Sequence, residues 1–279
     1  MPGRTIIITG ASDGIGAAAA RRLTAQGETV VVVGRSRSKT TAVAAEIGAD
    51  SFVADFAQLD SVRELAAGLR AAYPRIDVLA NNAGGLMGAP ETTTDGFEKT
   101  FQVNHLGPFL LTNLLMDTLV ASRASVLNTS SVAAKRFGHL DLDDLDNARD
   151  YSPTKAYGDG KLANVLFTRE LHRRFHDAGI STAAFHPGNV ATSFASDTTS
   201  VLRFVYHTPL KRLVLISPDR GAEDLVWLAT SEPGTAWTSG AYYARKKLAS
   251  TNKQADDADL ARELWDRSAE MVGVPAATA

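Results

Sequence analysis

Short apolar runs alternate with longer amphipathic stretches along the whole chain. Several of the short runs have no polar face, and Val30–Val33 is the plainest example. Strands that are apolar on both faces are typical of a parallel sheet covered by helices. The short runs predict strands at Thr5–Thr9, Thr29–Val33, Ser51–Ala54, Ile76–Asn81, Ser125–Thr129, Ile180–His186 and Ala241–Ala244.

The longer stretches between these strands predict helices near residues 15–26, 37–47, 58–72, 96–120, 154–178, 219–230 and 256–271. Such alternation indicates an α/β fold with a Rossmann-type, doubly wound parallel sheet of about seven strands and helices on both faces. We find no repeat, linker or shift in composition, so residues 1–279 are interpreted as a single domain. In sheets of this kind, ligands bind at the carboxyl ends of the strands.

The composition excludes several kinds of protein. There are 29 Lys and Arg residues against 31 Asp and Glu residues, so no excess of positive charge would attract nucleic acid or an anionic membrane. Cysteine is absent, which excludes disulfides, zinc–thiolate centres and a cysteine nucleophile. The longest apolar-rich stretch, 106–121, contains Thr112, Asn113 and Asp117, so we expect no membrane span. The first strand begins almost at once, and a cytoplasmic location without a signal peptide is expected.

A glycine-rich turn connects the first predicted strand to the first predicted helix. Glycines at such a turn let a pyrophosphate approach the main chain and direct the N–H groups of the helix toward it. A tight strand-to-helix connection is the plainer explanation, but the position favours a dinucleotide site. The residues assigned to this site are Gly10, Ser12, Asp13, Gly14, Ile15 and Gly16.

The end of the second strand indicates which dinucleotide binds. A site for NAD usually has a carboxylate about 20 residues after the turn, but Arg35 stands in that region here. A guanidinium binds a 2′-phosphate through its planar set of donors, so NADP(H) is the preferred cofactor and NAD(H) the second candidate. Arg37 and Lys39 could assist, whereas Asp13 counts slightly against NADP. The alternative is a solvated basic start to the second helix.

Tyr157 and Lys161 lie four residues apart in a predicted helix, so their side chains share one face. An ammonium next to a phenol favours the ionised phenolate, which would make Tyr157 suitable for general acid–base catalysis. Taken alone, the pair could be a surface coincidence.

Further polar residues follow the fourth and fifth strands. Ser131 would lie at a strand end, where its hydroxyl could bind a substrate oxygen, and Ser130 is the neighbouring candidate. Asn82–Gly84 is placed to lie along the cofactor or to form an ordinary polar turn. Asn104, inside a predicted helix, has either a local role toward the backbone or water or a place on a solvated face.

Taken in order, these motifs resemble the short-chain dehydrogenase/reductase family over nearly the whole chain. The resemblance implies hydride transfer between a nicotinamide and a carbonyl or alcohol, with Asn104, Ser131, Tyr157 and Lys161 as catalytic residues. Lys161 would also hold the nicotinamide ribose. The resemblance adds further cofactor-binding residues, namely Asp55, Phe56, Asn82, Ala83, Gly84, Pro187, Gly188, Val190 and Thr192.

Segments 156–168 and 186–192 are similar to the retinol-dehydrogenase-like branch of that family. Serine commonly precedes the catalytic lysine in this branch, and Gly160 stands in that position here. An enzyme acting on a hydrophobic small molecule is therefore expected. A homodimer or a homotetramer is the expected form of assembly, if the chain assembles. A catalytically silent NAD(P)-binding sensor or regulatory protein is the alternative, since a fold alone does not give function.

Three other features do not indicate a specific function. For the first, two interpretations are equally favoured, and for the other two the structural interpretation is preferred. The apolar segment 193–218 is either a lid over the substrate or a helix pair that fills core or a subunit interface. The acidic segment 139–146 lacks the glycine and terminal glutamate of a calcium loop, so a solvated loop near the site entrance is expected. His172 and His176 have no apparent third ligand, so no metal site is predicted.

Overall fold

Parallel strand pairing organises the described part of the chain, which in the computed structural model comprises residues 3–188 and 216–276. The strands form one sheet in the order β3-β2-β1-β4-β5-β6-β7-β8, and only β8 is antiparallel to its neighbour. The predicted doubly wound sheet is confirmed. The strands are β1 (Thr5–Thr9), β2 (Thr29–Gly34), β3 (Asp50–Val53), β4 (Val78–Asn81), β5 (Ser125–Thr129), β6 (Ser181–His186), β7 (Ala241–Ala244) and β8 (Lys247–Leu248).

The eighth strand was not predicted because its turn lacks the usual residues. Arg245 and Lys246 join β7 to β8 with φ values of 54° and 58°, a left-handed conformation that two-residue hairpins normally fill with Asn and Gly. The buried Asp224 carboxylate accepts hydrogen bonds from both backbone N–H groups, at 2.8 and 2.7 Å. A distant carboxylate thus stabilises a turn that local sequence does not indicate.

The helices cover both faces of the sheet. They are α1 (Gly14–Ala25), α2 (Arg37–Ile47), α3 (Leu59–Ala72), α4 (Lys99–Phe101), α5 (Gly107–Leu114), α6 (Met116–Ser122), α7 (Val132–Arg136), α8 (Pro153–Phe175), α9 (Pro218–Gly221), α10 (Glu223–Thr230) and α11 (Ala258–Val272). A short 3₁₀ turn at Lys253–Asp256 precedes α11. Within the described ranges, no helix has the length and apolar character needed to cross a membrane.

The single helix predicted over 96–120 is interrupted. Residues Gln102–Leu106 form a π-helical turn between α4 and α5, and a second break at Leu115 separates α5 from α6. Pro108 has no N–H to donate to the carbonyl of Asn104, so an uninterrupted α-helical pattern is impossible here. Single π turns occur often at functional sites, and this one contains Asn104.

Each face of the sheet has its own apolar core. Ile7, Val31 and Val33 contact one cluster, which includes buried residues of α3, α5, α8 and α11. Ile6 and Val32 belong to the other cluster, with residues of α1, α2 and α10. Successive residues of a strand point to opposite faces, so strands that are apolar throughout supply both cores and hold the strand ends rigidly.

Candidate active site

A crevice of about 530 Å³ crosses the carboxyl ends of the parallel strands, where the chain order reverses between β1 and β4. This is the place where open α/β sheets bind ligands. Most residues assigned from the sequence line it, namely Gly10, Ser12, Asp13, Gly14, Ile15, Arg35, Asp55, Phe56, Asn82, Ala83, Gly84, Ser131, Tyr157, Lys161, Pro187 and Gly188.

Other lining residues were not assigned as site residues from the sequence. They are Gly34, Ser36, Lys39, Ala54, Gly85, Leu86, Met87, Val103, Thr129 and Ser130. Most of them directly adjoin an assigned residue, so proximity to the strand ends was the available signal. Val103 adjoins the assigned Asn104 but reaches the crevice from the π turn and not from a strand end.

The glycines of the first turn have distinct tasks. Gly10 and Gly14 have φ values of 66° and 54°, which favour glycine. A Cβ on Gly10 would lie 2.8 Å from the Cα of Ala83, so the turn also approaches the loop after β4 too closely for a side chain. Gly16 does not line the crevice, and a Cβ there would strike the carbonyl oxygen of Gly10. The absence of a side chain at Gly16 therefore lets α1 pack closely against the turn.

Asn82 ties the turn to the neighbouring strands. Its Nδ2 donates to the carbonyls of Thr9 (3.0 Å) and Gly10 (3.4 Å), and its Oδ1 accepts from the Thr129 hydroxyl (3.3 Å). The side chain thus fixes the turn while its edge lines the crevice.

One mouth of the crevice is basic. Arg35 is exposed at the end of β2, and Lys39 forms an ion pair of 3.3 Å with Asp13. Asp13 also caps α1, because its carboxylate accepts from the N–H of Gly14 at 2.7 Å. Lys39 therefore offsets the negative charge that the sequence analysis counted against a phosphate. Arg37 is absent from the lining of the described crevice.

Asp55 and Phe56 lie beyond β3 on the same side of the crevice. Asp55 accepts from the N–H of Ala57 at 3.0 Å, and its own N–H donates to the Ser61 hydroxyl at 3.1 Å. These bonds hold the turn after β3. Phe56 is buried against Gly107, where a Cβ would lie 2.7 Å from the phenylalanine ring.

Tyr157 and Lys161 lie in the first turns of α8, which begins at Ser152 and Pro153. The Ser152 hydroxyl accepts from the N–H of Lys155 at 3.2 Å, and proline fits the first helical position. The Lys161 Nζ lies 5.6 Å from the centroid of the Tyr157 ring, so the predicted pair shares one face. The Tyr157 ring is 7% exposed and packs with Leu86 and Ala133.

Lys161 is buried, and its Nζ donates to the carbonyl of Thr129 at 3.1 Å. Burial disfavours the charged form and lowers the pKa of Lys161 to about 7. Near pH 7 the Lys161 side chain is therefore only partly protonated, whereas the sequence alone predicted a fully charged ammonium.

Asn104 lies behind the crevice and not on a solvated helix face. It is fully buried, and its Nδ2 donates to the carbonyls of Gly85 and Thr100, both at 2.8 Å. Its Oδ1 accepts from the N–H of Gly85 at 3.1 Å. A Cβ on Gly84 would lie 2.5 Å from the Asn104 Oδ1 and 2.9 Å from the Lys161 Nζ, so bare backbone separates the two side chains.

The choice between Ser130 and Ser131 follows from their hydrogen bonds. The buried Ser130 hydroxyl donates to the carbonyl of Lys161 at 2.8 Å. The Ser131 Oγ caps α7 by accepting from the N–H of Ala133 at 3.1 Å, which leaves the hydroxyl proton to donate elsewhere. The geometry favours Ser131 as the hydroxyl that faces a substrate.

His186 supports the same corner. Its Nδ1 accepts from the N–H of Val132 at 3.3 Å, directly after Ser131. Burial, aided by the nearby charges of Arg245 and Arg136, lowers the pKa of His186 to about 4. The ring is neutral near pH 7 and keeps its acceptor nitrogen.

Some assignments fall on other parts of the chain. Val190, Thr192 and nearly all of the segment 193–218 lie outside the described residues. His172 and His176 stack with ring centroids 4.5 Å apart, and each Nδ1 has a hydrogen-bond partner, the Ser239 hydroxyl and the Ile180 carbonyl respectively. The described ranges contain no group of three or more His, Cys, Asp or Glu side chains placed to hold a metal ion.

The acidic loop is attached to α8 beside the site. Asp159, two residues after Tyr157, is buried and accepts from the N–H of His139 at 2.6 Å and from Lys155 Nζ at 2.7 Å. Lys155 also donates to Asn147. Burial raises the pKa of Asp159, while Lys155 and the N–H of His139 oppose that effect.

Comparison with known proteins gives a consistent picture. A family model described as "short chain dehydrogenase" matches residues 4–202. The chain is 44% identical to the "Putative daunorubicin C-13 ketoreductase DnrU" of Streptomyces sp. (strain C5), over 98% of this chain and 94% of that protein. It is 40% identical to human retinol dehydrogenase 13, over 99% of this chain and 86% of that protein.

Solved structures include a Shigella flexneri protein described as a short chain dehydrogenase complexed with NADP. Its TM-score is 0.66 at 25% sequence identity, over 86% of this chain and 95% of that chain.

Proposed function

Because the chain belongs to the short-chain dehydrogenase/reductase family, in its retinol-dehydrogenase-like branch, we propose that it is an NADP(H)-dependent oxidoreductase that interconverts a carbonyl and an alcohol on a hydrophobic small molecule. The observation that carries this proposal is the joint lining of one crevice by Ser131, Tyr157 and Lys161, opposite the glycine turn of β1. That arrangement combines a dinucleotide site with a hydroxyl donor and an acid–base pair.

The crevice fits a dinucleotide by its shape and its donors. The main chain at Gly10 and Gly34 lies closer to neighbouring segments than a side chain would allow. A Cβ on Gly34, for example, would lie 2.7 Å from the Cβ of Ser12. The N-terminus of α1 favours a pyrophosphate, and Arg35 at the basic mouth favours a 2′-phosphate. When bound, NADP(H) supplies or accepts the hydride.

The chain's own residues would manage the proton and the oxygen. The Ser131 hydroxyl donates to the substrate oxygen, since the hydrogen bond that its Oγ accepts from Ala133 leaves the hydroxyl proton unused. Tyr157 donates or accepts the proton, and the Lys161 ammonium, in its protonated form, favours the phenolate. Asn104 acts as a positioning residue, because its side chain clamps the backbone of Gly85 beside Lys161.

The substrate wall is apolar in its described part. Leu86 and Met87 follow the loop after β4, and Leu86 packs directly against Tyr157. The two named relatives act, by their names, on daunorubicin and on retinol. We therefore place bulky ketones, aldehydes and the matching alcohols first among substrates.

The test is oxidation of NADPH by the purified protein with aromatic and polycyclic aldehydes and ketones of graded size. We expect turnover of at least one bulky carbonyl and a loss of about 10²-fold or more in Tyr157→Phe. Tyr151→Phe is the matched control, since that hydroxyl donates to the carbonyl of Gly88 and does not line the crevice. Undiminished turnover in Tyr157→Phe would contradict the mechanism. A lack of turnover across the whole panel, with NADPH still bound, would instead favour a cofactor-binding protein without catalysis.

A further inference from the structure

Three buried polar side chains lie behind Lys161 on three different elements. His105 belongs to the π turn, Asn164 to α8 and Ser268 to α11. All three are almost completely buried, with exposures of 1%, 2% and 0%. None of them lines the crevice or has a role in the proposed mechanism. Because desolvating a polar group is unfavourable, such a set needs its hydrogen bonds satisfied internally.

Two hydrogen bonds to one carbonyl connect this set to the catalytic lysine. The Asn164 Nδ2 donates to the carbonyl of Thr129 at 3.2 Å, and the Lys161 Nζ donates to the same carbonyl at 3.1 Å. At the other end, the His105 Nε2 lies 2.8 Å from the Ser268 hydroxyl. The position of the Thr129 carbonyl therefore depends on the Asn164 amide as well as on β5.

Two buried polar atoms of this set are unpaired. The His105 Nδ1 and the Asn164 Oδ1 have no hydrogen-bond partner in the described part of the chain. The Asn164 side chain also interacts with His105 in the direction that raises the pKa of the ring, against the larger effect of burial. The Asn164 Nδ2 donates to the carbonyl of Thr129, and the Asn164 Oδ1 is a hydrogen-bond acceptor that is left for another donor.

The surroundings fix the protonation of the ring. Phe101, Phe109 and Phe167 surround His105 with ring centroids 5.1, 5.9 and 6.1 Å away. Burial there lowers the pKa of His105 to about 3, so the ring is neutral and carries a single N–H. A proton on Nδ1 would let that nitrogen donate to the Asn164 Oδ1 and leave Nε2 to accept from the Ser268 hydroxyl, so this tautomer gives both unpaired atoms a partner.

We propose that His105 and Asn164 are positioning residues for Lys161, acting through a directed chain from the Ser268 hydroxyl through His105 and the Asn164 amide to the Thr129 carbonyl. Their effect on turnover rests on the proposed function, since it requires Lys161 to be catalytic. The chain of hydrogen bonds itself does not depend on the proposed function. It connects α11, which has no residue in the lining of the crevice, to the carbonyl that holds the lysine.

The first experiment determines the tautomer, which is independent of activity. Nitrogen-15 NMR of histidine-labelled protein near neutral pH should show His105 with its proton on Nδ1, the signal being assigned by its loss in His105→Asn. In Asn164→Leu the proton should move to Nε2, where the Ser268 oxygen can accept it. Ser268→Ala should leave the proton on Nδ1. A wild-type proton on Nε2, or an unchanged tautomer in Asn164→Leu, would overturn the proposal.

The second experiment measures kinetics and unfolding temperature together. Asn164→Leu and His105→Phe should lower kcat by roughly tenfold, as expected for one lost hydrogen bond that displaces a catalytic group slightly, with KM for NADPH nearly unchanged. His105→Asn should recover most of this loss, because its Nδ2 can replace the Nδ1–H donor. Equal kcat in His105→Phe and His105→Asn, with only the unfolding temperature altered, would show a structural role alone. If the wild type turns over no carbonyl, the proposed function fails and the tautomer still decides the hydrogen-bond chain.

Discussion

At the scale of one residue, the burial of Lys161 lowers the stability of the folded protein. Its side chain is almost completely buried, and burial lowers its pKa from 10.5 to about 7. The unfolded chain therefore binds more protons than the folded chain between these two values. By linkage, this lysine destabilises the folded protein most at and below pH 7, and the effect disappears as the pH rises toward 10.5.

The sign of this effect gives a prediction. Lys161→Met should have a larger free energy of unfolding than the wild type. This difference in the free energy of unfolding should be greatest at pH 6 and should decrease steadily up to about pH 10. Each kcal/mol corresponds to about 2–4 °C in Tm for a chain of this size. Thermal unfolding over this pH range measures it. Lys247→Met, at an exposed lysine of β8, should show a difference that does not vary with pH. A constant gap between Lys161→Met and the wild type would contradict the assignment.

A second residue-scale prediction concerns the cofactor. Arg35→Ala should lower kcat/KM with NADPH by about tenfold or more and leave the value with NADH nearly unchanged, because a guanidinium–phosphate contact is charge-assisted. Arg37→Ala is the comparison, as that arginine does not line the crevice. Steady-state kinetics with both cofactors give the ratio. If Arg35→Ala does not alter it, the preference for NADP lies elsewhere.

At the scale of elements, two segments approach each other closely beside Tyr157. The chain leaving α7 crosses α8 where Gly138 faces Gly158. A Cβ on Gly158 would lie 2.8 Å from the backbone N of Gly138 and 2.8 Å from the backbone C of Phe137. Backbone cannot move aside as a flexible side chain does, so this crossing requires glycine.

The crossing predicts a difference between two glycines of α8. Gly158→Ala should destabilise the protein by about 1–3 kcal/mol and lower kcat, since Tyr157 adjoins it. Gly160→Ala should be much milder, because the atom nearest to its Cβ would be the Cβ of Asn104 at 3.1 Å, the Thr100 oxygen would lie at 3.8 Å, and alanine favours the helix. Urea unfolding and kinetics on both variants test this. Equal losses of stability would show that the Gly138–Gly158 contact is not the cause.

The sequence predicted seven strands to within a residue or two, because each is an apolar run. The elements that were missed were missed for different reasons. The hairpin at Arg245 and Lys246 relies on Asp224, and the short helix α7 starts at a cap supplied by Ser131 itself. Periodicity also extended a single helix through Asn104, where Pro108 makes an unbroken α-helix impossible.

At the scale of the whole molecule, the fold explains why the candidate site was largely predictable. Parallel strands bring their carboxyl ends to one edge, so residues after β1, β2, β4, β5 and β6 meet there whatever their separation in sequence. Side-chain direction was not predictable in the same way. Asn104 turns away from the crevice to bind Gly85, and Gly16 packs behind the turn. The charge of Lys161 could not be foreseen either, because it depends on burial by the assembled core.

The central claim is hydride transfer from NADPH to a carbonyl carbon, with the proton supplied by Tyr157. The most direct test uses NADPH labelled with deuterium at the reactive C4 position, together with a carbonyl that the wild type reduces, and mass spectrometry of the alcohol formed. We expect one deuterium on the carbinol carbon and almost no labelled product from Tyr157→Phe in the same time. An alcohol without deuterium from either C4 label, or labelled alcohol formed equally fast by Tyr157→Phe, would contradict it.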